Sequence, residues 1–420
     1  MPRISRRQVL KGTAASALTA AGLNGRRALA DRRSRPTITL ISGWQAVNIG
    51  DIAHTPGVLD LIDHYLPEAR VLLWPGGRLD HGAEELLKAN HPQVTIAADP
   101  EQIYRETDLL LHGSGPSVVR ADRLAQWHKA TGKPYGIYGV TISEPRAVAG
   151  VLRNAKFVFT RETASIKRIR EAGIECPEIG FGPDGTFALK MRNNEAARRF
   201  LAEHGLDPGK FICVVPRLRY TPYHKIRRIT DPAALEQWKK KDEHNERYAE
   251  VDHAKAREAI IRWVRATGGK VLIVPEMTYQ LEIMQPLLID PLPDDVRRQV
   301  VRRTEYWLPD EAASTYAQAA AVLSFECHSP IIAAAVGTPA FYLRQPEDTI
   351  KGQMYYDLGL NDWVFEIDQT DGATIAERLM RVRNDRVAAQ TYLTAAMKRA
   401  EQRFDACWKA IAGCLAAATR

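Results

Sequence analysis

Two α/β domains, each built on a parallel sheet and facing the other across a cleft, are what this 420-residue chain predicts. Three observations lead there. Short apolar runs alternate with helical periodicity from residue 37 to about 160, and again from 211 to about 343. Such alternation builds parallel sheets with right-handed crossovers. The chain is longer than one core usually serves. Its composition, 45% hydrophobic and 26% charged with no low-complexity tract, suits buried cores rather than a disordered chain.

Residues 1–30 stand apart. Ser5-Arg6-Arg7-Gln8-Val9-Leu10-Lys11 precedes a mildly apolar stretch, Gly12 to Leu23, and then Ala28-Leu29-Ala30. That order of charged region, short apolar region and A-x-A site predicts a cleaved signal peptide, and the paired arginines predict the twin-arginine route and its translocase as a partner. The leader holds six of the 58 basic side chains and no acid, so its removal leaves 52 basic against 50 acidic residues. The mature chain is nearly neutral overall, which argues against nucleic acid as a partner. No later run of 18 apolar residues exists, so no membrane span is expected. The five cysteines form no CxxC pair, and Cys407 and Cys414 lie roughly 10 Å apart along a helix, too far for a disulfide.

In the first domain, assigned to residues 36–200, strands are expected at 37–42, 70–74, 94–97, 109–111, 134–140 and 157–160. Helices at 57–65, 83–89, 100–106 and 121–131 separate them, with a further helix before Asn154. The second domain, assigned to 205–370, has expected strands at 211–215, 270–274, 322–325 and 340–343, with helices at 252–267, 310–319 and 330–336. Residues 217–250 are rich in Arg, Lys and Tyr and read as an unusual insertion. A helical segment, 371–420, closes the chain.

Ligands of such sheets favour the carboxyl ends of the strands, so the residues there are the candidates. Asn48-Ile49-Gly50-Asp51 follows the first strand. It serves either as a capping turn or as a ligand loop in which Gly50 admits close backbone approach. Gly113-Ser114-Gly115-Pro116 follows another strand; position 118 is Val, so this is no G-x-G-x-x-G dinucleotide loop. Arg161 ends a strand and either grips a carboxylate or phosphate or pairs with Glu162 or Asp184. Arg217, Arg219, His224, Lys225, Arg227 and Arg228 interleave with Tyr220 and Tyr223, either a solvated insertion or a clamp for an acidic ligand with tyrosines to stack on sugar rings. His328, in Glu326-Cys327-His328-Ser329-Pro330, sits between a strand and an Ala-rich helix, placed for proton transfer or as a structural histidine. No H-E-x-x-H or G-x-S-x-G occurs, and no metal site is indicated.

Taken in order, Asn48-x-Gly50-Asp51, Gly113-Ser114-Gly115, Thr160-Arg161-Glu162-x-x-Ser165, Gly173-Ile174, Asp184 with Phe187, His328 with Ala333 to Pro339, and Lys351 resemble the polysaccharide pyruvyl transferase family. The resemblance implies two Rossmann-like domains arranged as in GT-B glycosyltransferases. It also implies transfer of a pyruvyl group from phosphoenolpyruvate onto two sugar hydroxyls of a polysaccharide or glycan acceptor, giving a ketal. On the matched positions Arg161 and Lys351 become anion contacts and His328 the proton carrier, with Asn48, Asp51, Gly113 and Gly115 as substrate-binding positions. Arg217 joins them from its own strand-end position. The family's usual Arg two residues before the histidine is Glu326 here, a carboxylate where a donor phosphate would sit.

The sequence thus predicts an exported pyruvyl transferase-like protein, periplasmic or otherwise extracytoplasmic, acting on cell-envelope or extracellular polysaccharide. Its alternatives are a non-catalytic carbohydrate-binding protein on the same fold and a nucleotide-sugar glycosyltransferase.

Overall fold

The computed structural model describes residues 35–420; the expected leader lies outside the described residues. Seven parallel strands form the first sheet: β1 (Thr37–Ser42), β2 (Arg70–Pro75), β3 (Thr95–Ile96), β4 (Leu109–His112), β5 (Tyr135–Val140), β6 (Val158–Thr160) and β7 (Ile179–Phe181), in the order β3-β2-β1-β4-β5-β6-β7. Six form the second: β8 (Phe211–Val215), β9 (Lys270–Ile273), β10 (Val300–Arg302), β11 (Ala321–Ser324), β12 (Ala340–Arg344) and β13 (Val364–Glu366), in the order β10-β9-β8-β11-β12-β13. The central strands are wholly buried, as strands covered by helices on both faces must be. In each sheet the order reverses beside the first strand, between β1 and β4 and between β8 and β11. Those reversals open the crevices where ligands of such sheets bind.

The first helix begins at Ile49, capped by the Asn48 side chain, rather than at 57. It runs through Pro56, losing one backbone hydrogen bond there. Nearly every residue from Ile49 to Ile62 is buried, because Ile49, Ile52 and Ala53 pack with Phe211, Val215 and Ile332 of the second lobe. A helix buried all round has no polar face to reveal its period. Gly57 marks a crossing instead of a start: a Cβ there would lie 2.3 Å from the Gly185 carbonyl oxygen.

The basic insertion is mostly helix. Pro232–Thr267 is a single helix of 36 residues, capped by Asp231, whose first half is largely exposed and polar. The helix Asn194–Glu203, which the sequence reading did not assign, packs with the second lobe: Leu201 joins the cluster of Phe211 and Ala312, and Asn193 N–H donates to Asp310 O. The terminal helix, Arg386–Ala418, touches both lobes. Its Tyr392 packs on Trp363, and its Trp408 lies against Tyr65 and Tyr138. All five cysteines are free thiols. No helix among the described residues is long and apolar enough to cross a membrane.

Candidate functional site

Loops from both sheets meet at the two reversals. Ile49 N–H donates to Glu276 O at 2.9 Å and Thr278 N–H to Val47 O at 3.0 Å, which stitches the β1 loop to the β9 loop. Beside this seam lies a cavity of about 320 Å³. Asn48, Asp51, Arg161, Arg217, Glu326, His328 and Lys351 all line it, so seven of the candidates converge although they lie up to 303 residues apart, from Asn48 to Lys351. Arg219, Tyr220, Tyr223, Trp238 and Lys241 complete one wall. Five Arg and Lys side chains face three carboxylates, Asp51, Glu326 and Glu347. Arg161, Arg217 and Arg219 are each paired with a further carboxylate behind the lining, Asp184, Asp348 and Asp252, so Lys241 and Lys351 carry most of the cavity's capacity for an anion.

Gly113 and Gly115 do not line it. Their absence of a side chain serves packing: a Cβ at Gly113 would lie 3.0 Å from Leu40, and one at Gly115 would lie 2.6 Å from Trp44 Nε1. Gly50 likewise makes room for a protein group rather than a ligand, since a Cβ there would lie 2.3 Å from the His328 ring. Asn48 takes the capping reading, its Oδ1 accepting from Gly50 N–H at 2.7 Å, while still bordering the cavity.

Arg161 is fully buried and already neutralised. Its Nη1 donates to Asp184 Oδ2 at 2.7 Å and its Nε to Thr141 Oγ1 at 2.7 Å, with Glu162 Oε2 at 3.8 Å. Asp184 also accepts from His54 Nδ1 at 3.0 Å. Burial opposes the Asp184 charge, but His54 and Arg161 hold its carboxyl well below the usual range. Burial pushes His54 down, against the pull of Asp184. The ligand atoms of His54, Asp184 and His328 lie within 4.8 Å of one another, a grouping the sequence did not suggest. The Arg161 guanidinium already sits among them, 3.4 Å from His328 Nε2, so the trio reads as a hydrogen-bonded relay around a fixed cation.

His328 opens the helix His328–Ala335. Its Nδ1 faces Glu276 Oε1 at 3.3 Å, and Glu276 Oε2 accepts from Ser329 N–H at 2.6 Å and Ser329 Oγ at 2.8 Å. Glu276 thereby caps the helix and orients the ring. Burial opposes a charge on His328, but Cys327 and Glu276 hold its proton above the ordinary range. Nδ1 faces Glu276 and Nε2 faces the Arg161 guanidinium at 3.4 Å, so both ring nitrogens already have protein partners while the ring borders the cavity. Cys327 Sγ is 3.5 Å from Nδ1, yet it is wholly buried and does not border the cavity, so it offers no nucleophile.

Glu326 Oε1 accepts from Gln280 Nε2 at 2.8 Å, and Oε2 lies 3.3 Å from Arg217 Nε. Burial pushes its carboxyl up to about 7, against the pull of Arg217 and with the help of Glu276. Arg217 in turn meets Asp348 Oδ1 at 2.5 Å, and Lys351 Nζ stands 3.7 Å from the same oxygen. Arg219 makes a two-point pair with Asp252, both contacts at 2.9 Å, under the Tyr248 ring at 3.7 Å. Sequence reasoning missed Glu276 and Gln45 as site residues. Neither sits in a patterned motif, and Glu276 gains its role only from the helix that starts at His328.

Two facing parallel-sheet lobes with the ligand crevice between them define the GT-B class. Solved structures agree on the fold. A putative UDP-N-acetylglucosamine 2-epimerase from Listeria monocytogenes matches with a TM-score of 0.53 at 11% identity, over 86% of this chain and 90% of that one. Anabaena HepE in complex with UDP and glucose matches with a TM-score of 0.53 at 13% identity, over 88% and 95%. A UGT transferase from Siraitia grosvenorii in complex with UDP matches with a TM-score of 0.50 at 9% identity, over 87% and 95%. No curated protein matches the chain. The chain belongs to the polysaccharide pyruvyl transferase family, whose description it matches over residues 48–345. It is a polysaccharide-modifying transferase by that membership.

Proposed function

We propose that the protein transfers a pyruvyl or related carboxyl-bearing group to hydroxyls of a cell-envelope or extracellular polysaccharide after twin-arginine export, with phosphoenolpyruvate the donor the family implies. The observation that carries this reading is the convergence of Arg161, Arg217, Lys351 and His328, from both lobes, on one small cationic cavity. In this scheme Lys351 and Arg217 hold the donor's carboxylate and phosphate. His328, once its Nε2 turns away from Arg161 Nη1, delivers a proton to the donor's methylene carbon as an acceptor oxygen attacks the adjacent carbon. Glu326, protonated, tolerates the anion; ionised, it repels it.

Calorimetric titration of the wild type with phosphoenolpyruvate tests the reading. Binding that weakens at least tenfold in Lys351→Ala, and persists in His328→Ala with turnover abolished, is the expected result. A second reading, a glycan-binding protein without catalysis, is favoured by the pairing of Arg161 and Arg217 with carboxylates inside the fold. Absence of donor binding, with glycan binding indifferent to His328→Ala, would select it.

A further inference from the structure

A second cavity, of about 600 Å³, adjoins the first and shares Gln45, Asp51, Pro116 and Tyr223 with it. Gln45 forms the partition: its Nε2 donates to Asp51 Oδ2 and, at 3.2 Å, to Tyr223 OH across the lobes. The two chambers differ in charge. Arg78 and Arg227 in the second stand with Asp80 and with Asp51, which the two chambers share, whereas the first gathers five Arg and Lys side chains.

Trp44 is the fixed wall of the second chamber. Its Nε1 donates to Ser114 O at 2.5 Å, and its ring stacks on His112 with centroids 4.9 Å apart. A Cβ at Gly76 would lie 2.5 Å from the Trp44 ring, and one at Gly115 2.6 Å from Nε1. The glycine loop after β4 thus seats an aromatic ring that still borders the cavity. Rigid aromatic faces flanked by balanced carboxylate and guanidinium groups suit a neutral sugar, whose apolar C–H face stacks while its hydroxyls find both donors and acceptors.

We propose that this second chamber is the acceptor subsite, holding a neutral pyranose against Trp44 and presenting its hydroxyl at Asp51, which takes the proton. The proposal rests on the transferase reading above. In balanced form, the first acceptor oxygen bonds to the central carbon of the enol phosphate while its proton passes to Asp51. The methylene carbon gains the His328 proton and becomes a methyl. The second hydroxyl oxygen then displaces phosphate from the central carbon. Its proton restores His328, and the Asp51 proton leaves on phosphate.

Calorimetry on the full chain separates the chambers, with methyl β-D-glucopyranoside, methyl β-D-galactopyranoside and methyl α-D-mannopyranoside as sugar probes and phosphoenolpyruvate as the anion probe. Val119 borders only the second chamber and is half-buried. Val119→Trp is expected to weaken glycoside binding at least tenfold with phosphoenolpyruvate affinity changed less than twofold; Lys351→Ala should do the reverse. Asp80→Ala, an exposed rim change, serves should Val119→Trp misfold, with at least a threefold loss for glycosides alone. Asp51→Asn should lower turnover at least a hundredfold with glycoside affinity held within threefold. Glycosides that bind Val119→Trp or Asp80→Ala as they bind wild type, or that none of the proteins bind, overturn the subsite. Wild-type turnover in Asp51→Asn overturns the role of that carboxylate. A wild type that binds glycosides in the second chamber but no phosphoenolpyruvate supports the sugar subsite while removing the donor reading.

Discussion

Gly50 and His328 occupy space that only one of them can fill: a methyl group on Gly50 would stand 2.3 Å from the imidazole. The ring that borders the cavity is therefore pressed against the start of the first helix, and the glycine in Asn48-x-Gly50-Asp51 is a condition of its position. Gly50→Ala is expected to displace the ring and lower turnover at least tenfold. Overpacking of this kind costs about 1–3 kcal/mol, so scanning calorimetry should show a modest fall in Tm beside the large loss of activity. An unchanged rate would remove Gly50 from this role.

Asp184 stands between two cationic or polar partners in the interior. Asp184→Asn leaves Arg161 with Glu162 at 3.8 Å as its nearest carboxylate, and breaking a buried pair costs about 3–5 kcal/mol. Because the folded carboxyl titrates below its ordinary range, its stabilisation is present above about pH 4 and is lost as pH falls through the lowered value. The wild type and Asp184→Asn should thus differ in urea unfolding at pH 7 and converge in acid.

Glu326 gives the opposite slope. Its folded carboxyl titrates at about 7, above the unfolded value of about 4.3. The fold favours the neutral acid, so its contribution is intact below pH 4.3 and declines as pH rises toward 7. Glu326→Gln should flatten stability over that window. It should also bind phosphoenolpyruvate more tightly than wild type at pH 8, on the order of tenfold, since it removes a charge beside the anion. Equal affinities at pH 8 would show that the carboxylate does not face the donor.

Trp408 is wholly buried, 6.0 Å from the Tyr65 ring and 5.3 Å from Tyr138, measured between centroids. Trp408→Ala should cost about 3–5 kcal/mol, read as a lower urea midpoint. A midpoint unchanged within error would mean that the terminal helix contributes nothing to the first lobe.

The central strands and their crossovers were legible in the sequence because each is a short apolar run between turns. The strands that were not, β7, β10 and β13, have three residues each and sit at sheet edges, and each includes a residue that is not fully buried. The exposed half of the helix Pro232–Thr267 escaped for the converse reason, being polar on nearly every face. Strand-end position alone pointed to Arg161, Arg217 and His328, which the fold brings to one cavity. It could not show that Gly113 and Gly115 serve packing, because a glycine looks the same whether it admits a ligand or a tryptophan. Glu276 was invisible for a topological reason: its partner, Ser329, lies 53 residues on and meets it only after β9 and β11 are placed in one sheet.

The helix Arg386–Ala418 begins beside Trp363 and ends beside Tyr138. The polypeptide thus passes between the lobes twice, once near residue 190 and once on its return. The second crossing is a docked helix, held to one lobe through Tyr392 on Trp363 and to the other through Trp408 on Tyr65 and Tyr138. Any separation of the lobes must therefore lift this helix from one of them as well as open the β1–β9 seam.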